Sequence, residues 1–163
     1  MPSYDVSYSR PIHQQWIPPG REGTRQTLEV MRQLARQASR LDQVQCLAAA
    51  IWTPKNLDLW FRRFWVSVPD PPEAEWITIP EWHLGMLDTR GYMAGDCDDA
   101  ATLGAAIALA AGWPSQFVAI RHFHEPEFSH VFLRADGIDI DPIVPEADMP
   151  IRGFFEIMEM EVV

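Results

Sequence analysis

A single cysteine stands where an alanine-rich helix is predicted to begin. Cys97 follows Gly95-Asp96 and precedes Asp98-Asp99 and a run of small residues with strong helix propensity, and Gly112 with Pro114 supplies the stop signal. Unpaired backbone N–H groups and the positive end of the helix dipole lie at a helix N-terminus, where both stabilise a thiolate or an oxyanion. This position suits a nucleophile, although free cysteines more often pack as small buried hydrophobes.

Two downstream segments with strand-like alternation carry a histidine and an aspartate. His130 lies in 129–133 and Asp141 ends 138–141, and the Asp136-Gly137 pair between these segments is a strong hairpin signal. A two-residue turn makes the two side chains diagonal neighbours on one face, and a four-residue loop places them directly opposite one another. A three-residue loop would put them on opposite faces of the sheet.

A cysteine, a histidine and an aspartate can act as nucleophile, base and orienting group. His130 would take the proton of Cys97, and Asp141 would fix the imidazole tautomer and stabilise its protonated form. The sequence Gly-Asp-Cys-Asp-Asp before a small-residue helix, with Ser-His-Val on one strand and Asp-Pro on the next, also resembles the core of the transglutaminase-like superfamily. The resemblance is greatest to the short versions in bacteriophage and bacterial genomes, and it runs from Leu57 to Pro145.

This resemblance implies a fold, a site and an activity. The implied fold is α+β, with helices packed on an antiparallel β-sheet in a papain-like core and the nucleophile at a helix N-terminus. The implied catalytic residues are Cys97, His130 and Asp141, and no cofactor is expected. The implied activity is cysteine-dependent acyl transfer, with hydrolysis of an amide or peptide bond placed ahead of transfer to an amine. The expected substrates are peptide or protein amides, including peptidoglycan peptides.

The three aspartates beside the cysteine have two opposing effects. Asp96, Asp98 and Asp99 bring negative charge, which raises the pKa of a thiol, but carboxylates here also cap a helix and complement its dipole. A hard cation such as calcium is an alternative partner, although the spacing and glycine of a known calcium loop are missing. His122 and His124 likewise lack the spacing of a metal site, so we predict no metal.

Length and composition predict one soluble domain. The chain has 163 residues, of which 47% are hydrophobic, enough for one core and too few for two ordinary domains. Its net charge of −10 disfavours a nucleic acid partner. No apolar run approaches the ~20 residues of a membrane span, the N-terminus lacks a signal pattern, and two separated cysteines give no disulfide framework. Synthesis in the cytoplasm is expected, with later incorporation into a phage particle as an option.

The N-terminal segment leads to a second hypothesis about function. Residues 1–23 are predicted to form an extended arm, and residues 24–163 a single transglutaminase-like domain. The arm would lie across its own domain as an edge strand and loop, or tether the chain to a neighbouring subunit. The alternative function is therefore a structural phage virion component, of the tail, that keeps the fold with little or no catalysis and contacts other phage structural proteins through the arm.

Hydrophobic periodicity predicts the remaining elements. Helices are expected from Thr24, from a cap at Asp42, and over Leu57 to Phe64, with Cys46 packed in the core. Residues 69–96 are predicted to form a long apolar loop. Its aromatic side chains are candidate walls of a substrate groove, although core packing is the favoured role of each one individually. Strands are predicted over residues 65–68, 116–123, 138–144 and 151–163.

Overall fold

The protein combines helices with an antiparallel four-stranded sheet, which confirms the α+β prediction. The structure is a computed structural model that describes residues 12–13, 20–70, 76–122, 125–144 and 154–162. Most of the predicted arm lies outside the described residues. No helix in these ranges has the length and apolar character needed to cross a membrane.

The helices and strands of the described ranges are named here in chain order. They are β1 (Ile12–His13), α1 (Arg21–Ala38), α2 (Asp42–Ala50), α3 (Pro54–Phe64), β2 (Trp65–Ser67), β3 (Ile77–Thr78), α4 (Pro80–Arg90), β4 (Met93–Gly95), α5 (Cys97–Ala111), β5 (Ser115–His122), β6 (His130–Ala135), β7 (Ile138–Ile140) and β8 (Phe154–Glu161). Helix α1 begins at Arg21 rather than at Thr24, and Thr53 caps α3 by accepting the backbone N–H of Asn56.

Helix α5 lies at the centre of the fold. On one side it packs against β6 and β5 of the sheet, whose strand order is β7-β6-β5-β8, and on the other side against α1 and α2. Every residue from 98 to 108 is buried. Small residues permit this close packing, since a Cβ on Gly104 would lie 3.1 Å from Leu133 and 3.3 Å from Phe61. Two smaller sheets, the antiparallel pair β1–β3 and the parallel pair β2–β4, complete the strands described.

The β6–β7 hairpin has the two-residue turn that brings the candidate base and acid together. Ala135 pairs with Ile138, so Asp136 and Gly137 form the turn, with φ values of 48° and 77°. Positive φ at both positions matches the primed turn that Asp-Gly favours. Strand β7 ends at Ile140, whereas the predicted strand extends to residue 144.

The last strand shows the predicted alternation of buried and exposed side chains. Met158 and Val162 are buried, whereas Glu159 and Glu161 are exposed. Strand β8 pairs antiparallel with β5 and forms one edge of the sheet as described.

The prediction of a long apolar loop over residues 69–96 is wrong for the described part. Helix α4 and strands β3 and β4 occupy most of it. Pro80 occupies the first turn of α4, and Gly91 ends the helix in the left-handed conformation at φ 77°. Helix α4 was not predicted because its apolar residues Trp82, Leu84 and Met86 alternate with other residues. This spacing does not form a single apolar stripe along a helix.

The expectation that Cys46 packs in the core is also wrong, because this side chain is exposed. Val44, Ala48 and Ile51 form the buried face of this segment. Cys46 is two residues from both Val44 and Ala48, which places it on the opposite side of the helix. Helical phase therefore outweighs the usual tendency of cysteine to be buried.

Candidate active site

Cys97 is the first residue of α5, as predicted. The backbone carbonyl of Asp96 accepts the N–H of Ala100 at 3.2 Å, and its side-chain Oδ1 accepts the N–H of Asp99 at 3.5 Å. Asp96 is therefore the N-cap residue. The half-buried Cys97 stands beside the N–H groups that have no partner within the helix.

His130 and Asp141 meet as the hairpin register requires. His130 begins β6, and Asp141 follows the last residue of β7. The distance from His130 Nε2 to Asp141 Oδ2 is 2.5 Å, and Asp141 is only 1% exposed. Because Nε2 faces Asp141, Nδ1 is the imidazole nitrogen left for a thiol or a substrate.

The surroundings of His130 hold it in its protonated form. Burial by itself lowers the pKa of His130, but hydrogen bonds to Asp141 and Cys97 and the charges of both groups raise it to about 10. A proton on His130 is therefore retained throughout the neutral range. Cys97 and this protonated histidine line the same cleft, an arrangement that cysteine-dependent catalysis requires.

Helix α3 supplies the support for Asp141. Asp141 Oδ1 accepts the backbone N–H groups of Ile143 at 3.0 Å and Val144 at 3.3 Å, while its own N–H donates to Asp58 Oδ1 at 3.3 Å. Arg62 closes the network by donating to Asp58 Oδ2 and to the carbonyl of Val144, both at 2.8 Å. Asp58 and Arg62 were not among the residues predicted for the site. The sequence signal that could have indicated them is an acidic and a basic residue four positions apart on one helix face.

A cleft of about 440 Å³ opens beside these residues. Cys97 and His130 line it together with the acidic residues Asp96, Asp98 and Glu127, and no lysine or arginine of the described chain does so. The described lining includes Phe128 but none of the aromatic residues from the 69–96 segment, so the prediction that these form the groove walls is wrong here.

The structure neutralises part of the negative charge around Cys97. Asp98 is 3% exposed, and burial, followed by hydrogen bonding to Asp96 and the charges of Asp96, Asp99 and Cys97, raises the pKa of Asp98 well above its usual 3.8. Asp96 is an acceptor like Asp98, so a hydrogen bond between the two carboxyl groups requires a proton on one of them. The raised pKa favours the neutral form of Asp98.

The cation alternative requires the same three carboxyl groups, each of which has an oxygen within 4.8 Å of the others. Within this cluster, Asp99 Oδ1 accepts the Thr78 N–H at 2.7 Å, and the pKa of Asp98 is raised by burial and by its acidic neighbours. Of the histidines considered as metal ligands, His122 ends β5 and His124 lies outside the described residues.

Replacing Asp98 with asparagine is expected to stabilise the protein at neutral pH. A carboxyl group whose pKa is raised on folding contributes stability below its unfolded pKa and loses it as the pH rises through the folded value. The introduced amide would still donate a hydrogen bond to Asp96 and cannot ionise. We expect a free energy of unfolding about 1 kcal/mol or more above wild type at pH 8, the scale of single buried polar groups, and little difference at pH 4.

Urea unfolding of wild type and Asp98→Asn at several pH values between 4 and 8 measures this difference. Comparison at matched pH cancels the contribution of His130, which is common to both proteins. A difference that stays constant over this range would contradict a buried, protonated Asp98.

Comparison of this chain with protein-family models, with curated proteins and with solved structures gives no match.

Proposed function

We propose that this protein is a cysteine-dependent acyl-transfer enzyme that hydrolyses an amide or peptide bond. Cys97 is its nucleophile, His130 its acid and base, and Asp141 its orienting group. The observation that carries the proposal is His130 itself, which hydrogen-bonds Asp141 at 2.5 Å and also contacts a cysteine at the N-terminus of a helix. The transglutaminase-like resemblance of these residues supports the same assignment.

The first half of the reaction acylates the enzyme. The Cys97 thiolate attacks the carbonyl carbon, and backbone N–H groups at the start of α5 stabilise the oxyanion that forms. Protonated His130 then gives its proton to the leaving nitrogen as the C–N bond breaks. The products of this half are a free amine and a thioester on Cys97.

The second half returns the enzyme to its starting form. His130, now neutral, takes a proton from water as the water oxygen attacks the thioester carbonyl. The C–S bond breaks, the acid product leaves, and the proton held by His130 restores the ion pair with Cys97. An amine in place of water would complete a transamidation, so the acyl acceptor decides between the two activities.

The cleft favours one kind of substrate. Asp96 and Glu127 add negative charge near Cys97, with no lysine or arginine among the described lining residues to balance it. Substrates with an ammonium group near the scissile bond would be attracted, and carboxylate-rich peptides would be repelled. Peptide amides that carry a free amino group are therefore the proposed substrate class.

Alkylation by iodoacetamide tests the nucleophile directly. We expect Cys97 to be labelled rapidly at pH 6, where an ordinary thiol of pKa ~8.5 is under ~1% ionised. In His130→Ala, the rate at pH 6 should fall at least ~10-fold, because the imidazolium no longer stabilises the thiolate. Mass spectrometry of peptides labelled between pH 4 and 9 gives the rate at each cysteine.

Cys46 is the internal reference for this experiment, since it is exposed and lies on α2. Its rate should follow that of an ordinary thiol in both proteins. If Cys97 follows the same profile as Cys46, the catalytic proposal fails, and a structural role without catalysis becomes the better hypothesis.

A further inference from the structure

Asp99, the last aspartate of the Gly-Asp-Cys-Asp-Asp segment, is fully buried beneath the nucleophile. It lies in the first turn of α5, two residues after Cys97, and is 0% exposed. His83 on α4 faces it and is also 0% exposed. Neither residue lines the described cleft, so the mechanism above leaves this buried pair unused.

The carboxyl group of Asp99 joins three elements. Its Oδ1 accepts the backbone N–H of Thr78 in β3 at 2.7 Å and lies 3.6 Å from Nε2 of His83 in α4. A buried carboxyl group is costly without such a partner, so the hydrogen bond from Thr78 holds β3 against the first turn of α5, and His83 places α4 beside the same carboxyl group.

The same side chain also packs against β4. A Cβ on Gly95 would lie 2.9 Å from Asp99 Cβ and closer still to Oδ2, so the aspartate occupies the space that a larger residue would need. The ring of His83 packs on Trp65 of β2, with centroids 5.0 Å apart, and β2 pairs with β4. Asp99 therefore packs directly on β4, and it is linked to β2 through the ring of His83.

We propose that Asp99 is a positioning residue that fixes Cys97 relative to His130. Cys97 belongs to the turn that Asp99 secures, whereas His130 belongs to the sheet on the other side of the site. A shift of this turn changes the separation of sulfur and imidazole directly. The inference rests on the proposed function, because it concerns the geometry of the same ion pair.

Two other roles for Asp99 predict different results. If it acted only through its charge, its removal would favour the thiolate, because a nearby negative charge disfavours it. If its role were only structural, its removal would lower stability without changing the reactivity of the molecules that remain folded. A positioning role predicts lower reactivity when its contacts are lost and retained reactivity when they are kept.

The test compares Asp99→Asn, Asp99→Ala and His83→Phe with wild type. Asparagine keeps an acceptor for Thr78, alanine keeps none, and phenylalanine keeps a ring against Trp65 while removing the nitrogen that faces Asp99. Glu81→Ala is the matched control, because Glu81 is an exposed acidic residue in the first turn of α4. The readouts are the rate of iodoacetamide labelling of Cys97 relative to Cys46 at pH 6, and the melting temperature.

We expect Asp99→Ala to lower the labelling ratio at least ~10-fold, the scale on which a displaced catalytic group loses rate. Asp99→Asn should stay within about threefold of wild type, since it keeps the hydrogen bond to Thr78. His83→Phe should lower the ratio by less than the alanine variant, and Glu81→Ala should leave it unchanged.

The proposal is overturned if Asp99→Ala raises the ratio, or if it lowers the melting temperature and leaves the ratio unchanged. Should Asp99→Ala fail to fold, an unchanged ratio in His83→Phe overturns it, and a lowered ratio in His83→Phe with a retained ratio in Asp99→Asn supports it. Slow labelling of wild-type Cys97 at pH 6 would instead refute the proposed function, so the two failures are distinguishable.

Discussion

Asp141→Asn is expected to lower acyl transfer about 10³- to 10⁴-fold, the scale seen when the orienting carboxylate of a catalytic triad becomes an amide. The asparagine oxygen would still accept the backbone N–H groups of Ile143 and Val144, so the loop geometry is kept. Its amide nitrogen would face His130 Nε2 and donate to it. The imidazole proton then resides on Nδ1, where it prevents His130 from accepting a proton from Cys97, and the imidazolium loses its counter-charge.

Release of nitrophenolate from p-nitrophenyl acetate, a small activated ester, measures this effect without a known natural substrate. Asp139→Asn is the matched control, because Asp139 lies on β7 two residues before Asp141 and pairs with Arg134 outside the described cleft. The control should hydrolyse the ester at the wild-type rate. Equal rates for Asp141→Asn and wild type would show that the contact between His130 and Asp141 has no part in the chemistry.

Gly95→Ala is expected to destabilise the protein by about 1–3 kcal/mol, the usual effect of adding a methyl group to a filled space. The new Cβ would overlap the side chain of Asp99. That side chain cannot retreat freely, because Thr78 holds its Oδ1. The clash should therefore displace the first turn of α5 and slow the labelling of Cys97 at pH 6 as well.

Gly85→Ala supplies the control for this prediction. Gly85 lies inside α4, and a Cβ there would meet no atom within 4 Å. Alanine in a helix interior is favoured over glycine by up to ~1 kcal/mol, so this variant should be as stable as wild type or more stable. Urea unfolding of both variants gives the comparison. A Gly95→Ala protein as stable as Gly85→Ala would mean that Asp99 can move without cost.

Local sequence rules predicted the parts of the site that depend on neighbouring residues. The small residues after Cys97 and the stop at Gly112 defined α5, with Gly112 in the left-handed conformation at φ 73°. The Asp136-Gly137 pair defined the turn that brings His130 to Asp141. These features follow from backbone propensity and turn chemistry, which act over a few residues and are readable from the chain.

Local sequence rules did not predict the contacts between segments that are distant in the sequence. Asp58 lies 83 residues before Asp141. Its hydrogen bond with the Asp141 N–H forms only because α3 packs against the end of the hairpin. His83 lies in a helix without a single apolar stripe, and its burial against Asp99 depends on the packing of α4 on α5. No local pattern encodes such pairs, because they depend on how completed elements pack.

The sequence by itself predicted the helix that begins at Cys97 and a hairpin at Asp136-Gly137, because both follow from local backbone preferences. The structure selected the two-residue turn among the loop lengths that the sequence left open. The tertiary structure decided how the site works electrostatically. Burial raised the pKa of Asp98, and the contacts of His130 with Asp141 and Cys97 raised its pKa to about 10. A pKa depends on desolvation and on charges brought together by folding, so the same acidic segment that argued against a reactive cysteine became compatible with one.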